Sequence, residues 1–480
     1  MEGLRVKRKD PFRLEISQTP PMRTNGIVYA NAKIEHMLEK ETVLSQVANV
    51  ACLPGIVGPS LAMPDIHWGY GFPIGGVAAF SVKDGIISPG GVGYDINCGM
   101  CCIATNLTLE EVSPVLDNLL VGIYRDVPAG VGSSNKGFAL NRKDFKEVLK
   151  KGALWVIKNG YAPMEDRDAH EDGGCIEGAD PDMVSKRAIE RGLPQLGTLG
   201  SGNHFIEIDV VDRIFDEVTA KSFGLFNSQV VVLVHTGSRG LGHQVCDDYV
   251  HSMLAAAVRY KIYLPDRQLA CAPFASDEGR AYWGAMACAA NFAFANRQLI
   301  TFLIRETFER QFGKSYERMG MRLLYDCCHN IAKKEHIVLA GKGQEVCIHR
   351  KGATRAFPPG DKRLPERFRA TGQPVLVPGD MGTMSYILAG HSNADETFFS
   401  ACHGAGRLLS RRQAKKISQG RAILDELKKK NIHAMAASRS TLAEEIPEAY
   451  KDVSEVVATI TGAGIARAVA RVKPVAMVKG

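Results

Sequence analysis

Apolar residues along this chain fall into two rhythms. Short, nearly continuous runs at residues 76–81, 102–106, 230–234, 346–349 and 375–377 predict strands. Longer stretches at 144–158, 246–260 and 282–308 carry apolar positions at helical spacing and predict helices. Strands this uniformly apolar need cover on both faces, so the pattern predicts a mixed α/β (α+β) fold, with buried sheets flanked by helices. No fixed-period repeat or low-complexity tract occurs, which excludes a solenoid and a disordered regulator. The most apolar long piece, residues 282–295, contains Asn291 and soon meets Arg297. A buried helix fits it better than a membrane span, which takes about 18 consecutive apolar residues.

Composition changes this picture little. Of 480 residues, 45% are hydrophobic and 23% charged, and the formal net charge is +7. Such a mild excess does not by itself predict nucleic-acid binding. The N-terminal residues lack the apolar run of a secretory signal, so a cytoplasmic protein is expected, with its 12 cysteines reduced. No Gly/Ser- or Pro-rich linker divides the chain, and the candidate functional residues spread from Asp95 past His329 to His403. A single large domain over residues 1–480 is the expectation. The acidic stretch 162–182 reads as an exposed loop on it.

Candidate chemistry gathers at glycine- and asparagine-flanked positions. In Tyr94-Asp95-Ile96-Asn97-Cys98, a turn could aim a carboxylate and a thiol at one point. A thiolate can bridge two cations while the carboxylate offers one of them a harder oxygen. Cys98-Gly99-Met100-Cys101 also fits C-x-x-C, so a redox motif is an alternative, although the segment reads as a strand with no thioredoxin-like helix after it. Residues 202–208 alternate as a strand, with His204, Ile206 and Ile208 on one face and Asn203, Phe205 and Glu207 on the other. His235 closes the run Val230-Val231-Val232-Leu233-Val234, and His329 sits between Cys328 and Asn330. Three glycine-rich turns, at 89–93, 197–202 and 237–240, lie beside these residues. They either admit a ligand close to the backbone or are ordinary tight turns. Each histidine alone could be a hydrogen-bonded core residue. Taken together, Asp95, Cys98, His204, His235 and His329 suggest a dinuclear site with shared ligands, for which the donor types alone would suggest zinc.

Cys402-His403-Gly404-Ala405-Gly406 holds a histidine whose small neighbours leave room for a group on its ring. Attack by such a nitrogen on phosphorus gives a phosphoramidate. The alternative is a histidine capping the helix predicted over 407–430. A phosphate near His403 would face that helix's N-terminus. Arg411, Arg412, Lys415, Lys416 and Lys428 to Lys430 either hold an RNA backbone or form a solvated face.

From about Val28 to Gly480 the chain resembles the RtcB family of tRNA-splicing RNA ligases. The resemblance is carried by Leu61-Ala62-Met63-Pro64-Asp65-Ile66-His67, residues 88–99 around Asp95 and Cys98, and Leu193-Pro194-Gln195-Leu196-Gly197-Thr198-Leu199-Gly200. Val234-His235-Thr236-Gly237-Ser238-Arg239-Gly240, His329-Asn330-Ile331-Ala332-Lys333, His349-Arg350-Lys351-Gly352 and Cys402-His403-Gly404-Ala405-Gly406 extend it.

The resemblance implies a GTP-dependent ligase with two Mn(II) ions, one on Asp95, Cys98 and His204 and the other on Cys98, His235 and His329. It implies that His403 takes GMP from GTP and passes it to an RNA 3′-phosphate, which a 5′-hydroxyl then attacks. A 2′,3′-cyclic phosphate end is opened first. The guanylate pocket it implies comprises Asn203, His204, Phe205, Ile206, Glu207, His329, Asn330, Pro378, Gly379, Asp380, Met381, Ser385, His403, Gly404, Ala405, Gly406, Tyr450 and Lys479. Glu207 would accept from guanine N1 and N2, Lys479 would donate to O6, Tyr450 would stack on the ring, and Arg239 would contact a phosphate or RNA end. RNA, in the form of tRNA exon halves or broken ends, would be the substrate, and an archease-type protein a possible activator. Met100 and Cys101 stand where the family usually has valine and arginine, which predicts a second thiol near the metals and greater sensitivity to oxidation. A dinuclear phosphoesterase and a non-catalytic RNA-binding component are the rival readings.

Overall fold

A computed structural model describes residues 3–38, 42–339 and 341–480. Two large sheets organise it. The first runs Val6–Asp10, Arg13–Ile16, Gly26–Tyr29, Ile56–His67, Ile74–Ser81, Lys342–Lys351, Asn330–Leu339. The second runs Arg322–Cys328, Gly99–Thr108, Gln229–Thr236, Phe205–Ile214, Ala466–Lys479, Ser385–Gly390, Pro374–Val377, with His433–Ala436 added alongside Ala466–Lys479. All five predicted strands are present. Their cover on both faces comes from sheets and helices packed around mainly antiparallel strands, with parallel pairing at Gly26–Tyr29 and at His433–Ala436.

The antiparallel register fixes where chemistry can collect. Gly99 pairs with Thr236, Cys328 with Gly99, Phe205 with His235 and Lys479 with Phe205. Two strand starts and three strand ends therefore share one edge of the second sheet. His329 stands between Arg322–Cys328 and Asn330–Leu339, where the chain passes from the second sheet to the first.

The helix Asp277–Phe312 runs behind this edge. Ser276 caps it by accepting from Gly279 N–H, and Gly313 ends it at a φ of 63°. Its alanine-rich middle is buried all round, so it packs closely instead of crossing a membrane. Among the described residues no helix is long and apolar enough to span one.

Three expectations need correction. The helix expected over 144–158 is broken at Gly152 (φ 55°) into Arg142–Lys151 and Ala153–Lys158. The stretch 407–430 is not one helix: Arg411–Ile417 and Ile423–Lys429 are separate, and the first starts well after His403, at the Ser410/Gln413 capping box. The helix that follows His403 therefore does not begin at it. Within 162–182, Asp166, His170 and Glu171 are buried, with Asp166 paired to Arg305 and Glu171 to Lys333. Partners more than a hundred residues away turned a solvent-like composition into core.

Candidate functional site

At the shared edge, donor atoms converge. Asp95, Cys98 and His204 form one group and Cys98, His235 and His329 another, the donor atoms of each lying within 4.8 Å of one another. Cys98 Sγ lies 3.6 Å from His204 Nε2 and 3.3 Å from His235 Nε2. His235 Nε2 is 3.1 Å from His329 Nε2, and Asp95 Oδ2 is 2.8 Å from His204 Nε2. The His204 Nδ1 contact with Leu199 O, at 3.0 Å, fixes the tautomer and leaves the Nε2 lone pair facing the thiol. Glycine makes this approach possible: a Cβ at Gly237 would sit 2.3 Å from Asp95 Oδ1.

The electrostatics of the cluster favour a cation. Burial pushes the Cys98 thiol well above its ordinary range, with Asp95 adding to it. Burial and the neighbouring imidazoles hold His235 and His329 well below theirs. Burial raises Asp95, but His204 outweighs it and brings the carboxyl to about 2. Neutral imidazole nitrogens and a sulfur pressed together without counter-charge fit one or two borderline-soft divalent ions bridged by Cys98.

The loop bearing Asp95 and Cys98 is held from behind by Arg297, which is fully buried. Its guanidinium donates to Asn97 O (2.8 Å), Asn97 Oδ1 (3.0 Å), Thr236 O (3.0 Å) and Asp326 Oδ1 (2.8 Å). One side chain thus ties together the segments that carry Cys98, His235 and His329. From the front, Asn330 Nδ2 donates to Asp95 O at 3.1 Å.

His403 follows the strand Ser400–Cys402 and stands beside the donors, its ring 4.9 Å from that of His329. Asp65, wholly buried, accepts from both the His403 backbone N–H (3.0 Å) and ring Nδ1 (2.5 Å). With Nδ1 protonated toward Asp65, the lone pair of the neutral ring is on Nε2. Sequence reasoning alone assigns Asp65 no role. The signal was there, a lone carboxylate in the apolar run Leu61-Ala62-Met63-Pro64-Asp65-Ile66.

A cavity of about 380 Å³ opens onto this centre. Asn203, Phe205, Glu207, Asn330, Pro378, Gly379, Asp380, Met381, Gly404, Ala405, Gly406, Tyr450 and Lys479 all line it, as do Asp95, Cys98, His235, His329 and His403. Three residues of the expected set do not: His204, which stands in the donor cluster, Ile206 and Ser385. Ile206 turns into the core beneath the sheet, and Ser385 Oγ accepts from Gly379 N–H at 3.1 Å, bracing the 378–381 turn. Burial raises Glu207 to about 8, against the pull of Lys479, and Asp380 to about 7. Burial also lowers Lys479. Tyr450 donates to Glu445, accepts from Arg407 at 2.9 Å, and has the Arg407 guanidinium 4.9 Å from its ring centre. Arg239 lies outside the lining, with Nε donating to Thr198 Oγ1 at 3.1 Å.

Cys101 corrects the expectation of a second thiol at the metals. It pairs across the sheet with Val234, one step out of phase with Met100 and His235. Its side chain therefore faces the core, fully buried, 3.8 Å from Thr301 Oγ1, where burial holds the thiol protonated.

The family described as tRNA-splicing ligase RtcB matches residues 46–480. A tRNA-splicing ligase RtcB from Thermococcus kodakarensis is 51% identical over the full length of both chains. One from Archaeoglobus fulgidus is 49% identical, also over both full lengths. An RNA-splicing ligase RtcB from Mycobacterium tuberculosis is 50% identical over 91% of this chain and all of its own. With a family match over most of its residues and relatives this similar end to end, the chain belongs to the RtcB family.

Proposed function

We propose that residues 1–480 form one cytoplasmic ligase domain that joins RNA 3′-phosphate or 2′,3′-cyclic phosphate ends to 5′-hydroxyl ends, with GTP as cosubstrate, in tRNA splicing and RNA repair. Supporting this is His403, oriented by a buried carboxylate and one ring away from a donor cluster built around a shared thiolate. Asp95, Cys98 and His204 would hold one Mn(II) ion, and Cys98, His235 and His329 the other. Bound there, the metals would offset charge on the triphosphate and on the phosphorane-like transition state.

The protein's own groups do the rest. His403 Nε2 attacks the α-phosphorus of GTP, and the N–P bond forms as the bond to pyrophosphate breaks. Asp65 holds the Nδ1 proton and stabilises the positive charge that develops on the ring. An RNA 3′-phosphate oxygen then takes the guanylyl group and frees the histidine. Finally the 5′-oxygen bonds to the 3′-phosphorus, GMP leaves, and the hydroxyl proton passes to solvent. Glu207, once ionised, accepts from guanine N1–H and N2–H, donors that adenine does not present in that arrangement. Lys479 donates to O6, Tyr450 stacks, and Arg239 contacts the RNA end. An archease-type activator is compatible with this reading.

The test is incubation with α-labelled GTP and Mn(II). A label that acid removes and alkali spares is expected, absent from His403→Ala. Asp65→Asn, with metals retained, is expected to form it about 10²- to 10⁴-fold more slowly. Hydrolysis of cyclic phosphate ends with no label would favour a phosphoesterase, and RNA binding without either activity a non-catalytic protein.

A further inference from the structure

The chain has three tryptophans, and two are accounted for by the fold. Trp155 packs against the core behind the second sheet. Trp283 donates its indole N–H to Glu177 O at 3.2 Å and carries the Lys334 ammonium 4.8 Å from its ring centre. Trp68 differs. It is 54% exposed, and among the described residues nothing bonds to its N–H, stacks on its ring or places a cation over it. An indole left in water forgoes the burial that usually justifies so large an apolar side chain.

Its position gives it a task. Trp68 follows His67, the last residue of the strand Ile56–His67, and comes two residues before Tyr70. Both His67 and Tyr70 line the reacting cavity. The Tyr70 ring meets Tyr94 edge-on at 5.5 Å, Tyr94 lies 4.9 Å from the ring of His243, and Tyr94 adjoins the donor Asp95. Tyr70 and Tyr94 thus line the way from the segment that carries Trp68 to the donor Asp95.

The segment is also rigid. Gln46 bonds both the N–H and the C=O of Gly69, at 3.0 and 2.6 Å, and Gln268 accepts from Gly71 N–H at 3.0 Å. Lys351 donates to the carbonyls of Tyr70 and Phe72. A ring held open on fixed backbone binds a flat partner with little ordering cost. The groups suited to guanine (Glu207, Asp380, Tyr450 and Lys479) come from other segments, so the nucleotide has no need of this strip.

Building on the ligase reading, we propose that Trp68, set between the cavity residues His67 and Tyr70, is a stacking subsite for the terminal nucleobase of the RNA end being joined. Continuity with the reacting cavity makes an RNA end the occupant. A π-face without hydrogen-bonding groups accepts any base, which is what a ligase acting on varied ends requires.

The test uses the full chain with Mn(II), GTP and oligoribonucleotide substrates. Trp68→Ala is expected to raise KM for RNA about tenfold, with kcat and guanylylation of His403 unchanged. Trp68→Phe should restore most of the loss. RNA should quench tryptophan emission in the parent and not in Trp68→Phe. A substrate abasic at the 3′- or the 5′-terminal position should reproduce the KM rise in the parent and add nothing to it in Trp68→Ala. An unchanged KM in Trp68→Ala, or indifference of the parent to abasic ends at both positions, would overturn the subsite while leaving the ligase reading intact. Failure of guanylylation in the parent would instead sink the ligase reading itself.

Discussion

Two regions of this protein bury polar groups, and they do so in opposite ways. Behind the second sheet runs a chain of matched partners. Arg297 meets Asp326, which meets His170; His170 meets Gln298; and Asp166 binds both Gln298 and Arg305. Every charge there has an opposite neighbour, as buried charges require. In front of the sheet, Cys98, His235 and His329 face one another with lone pairs and no cation from the protein. The first region pairs its charges within the fold. The second gathers donor atoms that could hold a metal ion. Matched burial marks a frame, and unmatched burial marks a site.

The contrast can be broken most severely at the shared donor. Cys98→Ala is expected to lose both ions and all guanylylation, with little change in the melting temperature of metal-free protein. Metal analysis after desalting and calorimetry would show this, and retention of two manganese ions per chain would sink the bridging role. The frame should respond the other way. Arg297→Met removes the guanidinium from buried Asp326 and from the carbonyls of Asn97 and Thr236, so denaturant titration should show a loss of about 3–5 kcal/mol. A change below about 1 kcal/mol would mean that the network is ornamental.

A smaller effect sharpens the comparison at the guanine end. Glu207 is raised by burial to about 8, so the folded state holds a proton that the unfolded state releases near 4.5. Stability from this group is full below about pH 4.5 and is lost as pH rises through 8. Glu207→Gln mimics the protonated form, so its melting temperature should match the parent near pH 4.5 and exceed it increasingly toward pH 9. A difference that does not vary with pH would refute the shift.

Much of the fold was legible because strand and helix periodicities are local. Val230 to Val234 reads as a buried strand whatever lies beside it. Strand order was not legible, since nothing in residues 99–108 names residues 229–236 as a neighbour. Asp95, Cys98, His235 and His329 are visible because each sits in a short segment flanked by glycine or asparagine. Asp65 and Arg297 were missed because their meaning lies in partners 338 and 200 residues away. Cys101 was misjudged because a motif counts residues without regard to which face of the strand each occupies.

The strand Ala466–Lys479 lies inside the second sheet, between Phe205–Ile214 and Ser385–Gly390, and ends with Lys479 in the cavity wall. Its neighbour Phe205–Ile214 lies far back in the sequence, so this side of the cavity exists only once two distant strands have paired. The cavity wall is therefore a product of long-range pairing and should close later in folding than the local elements around it.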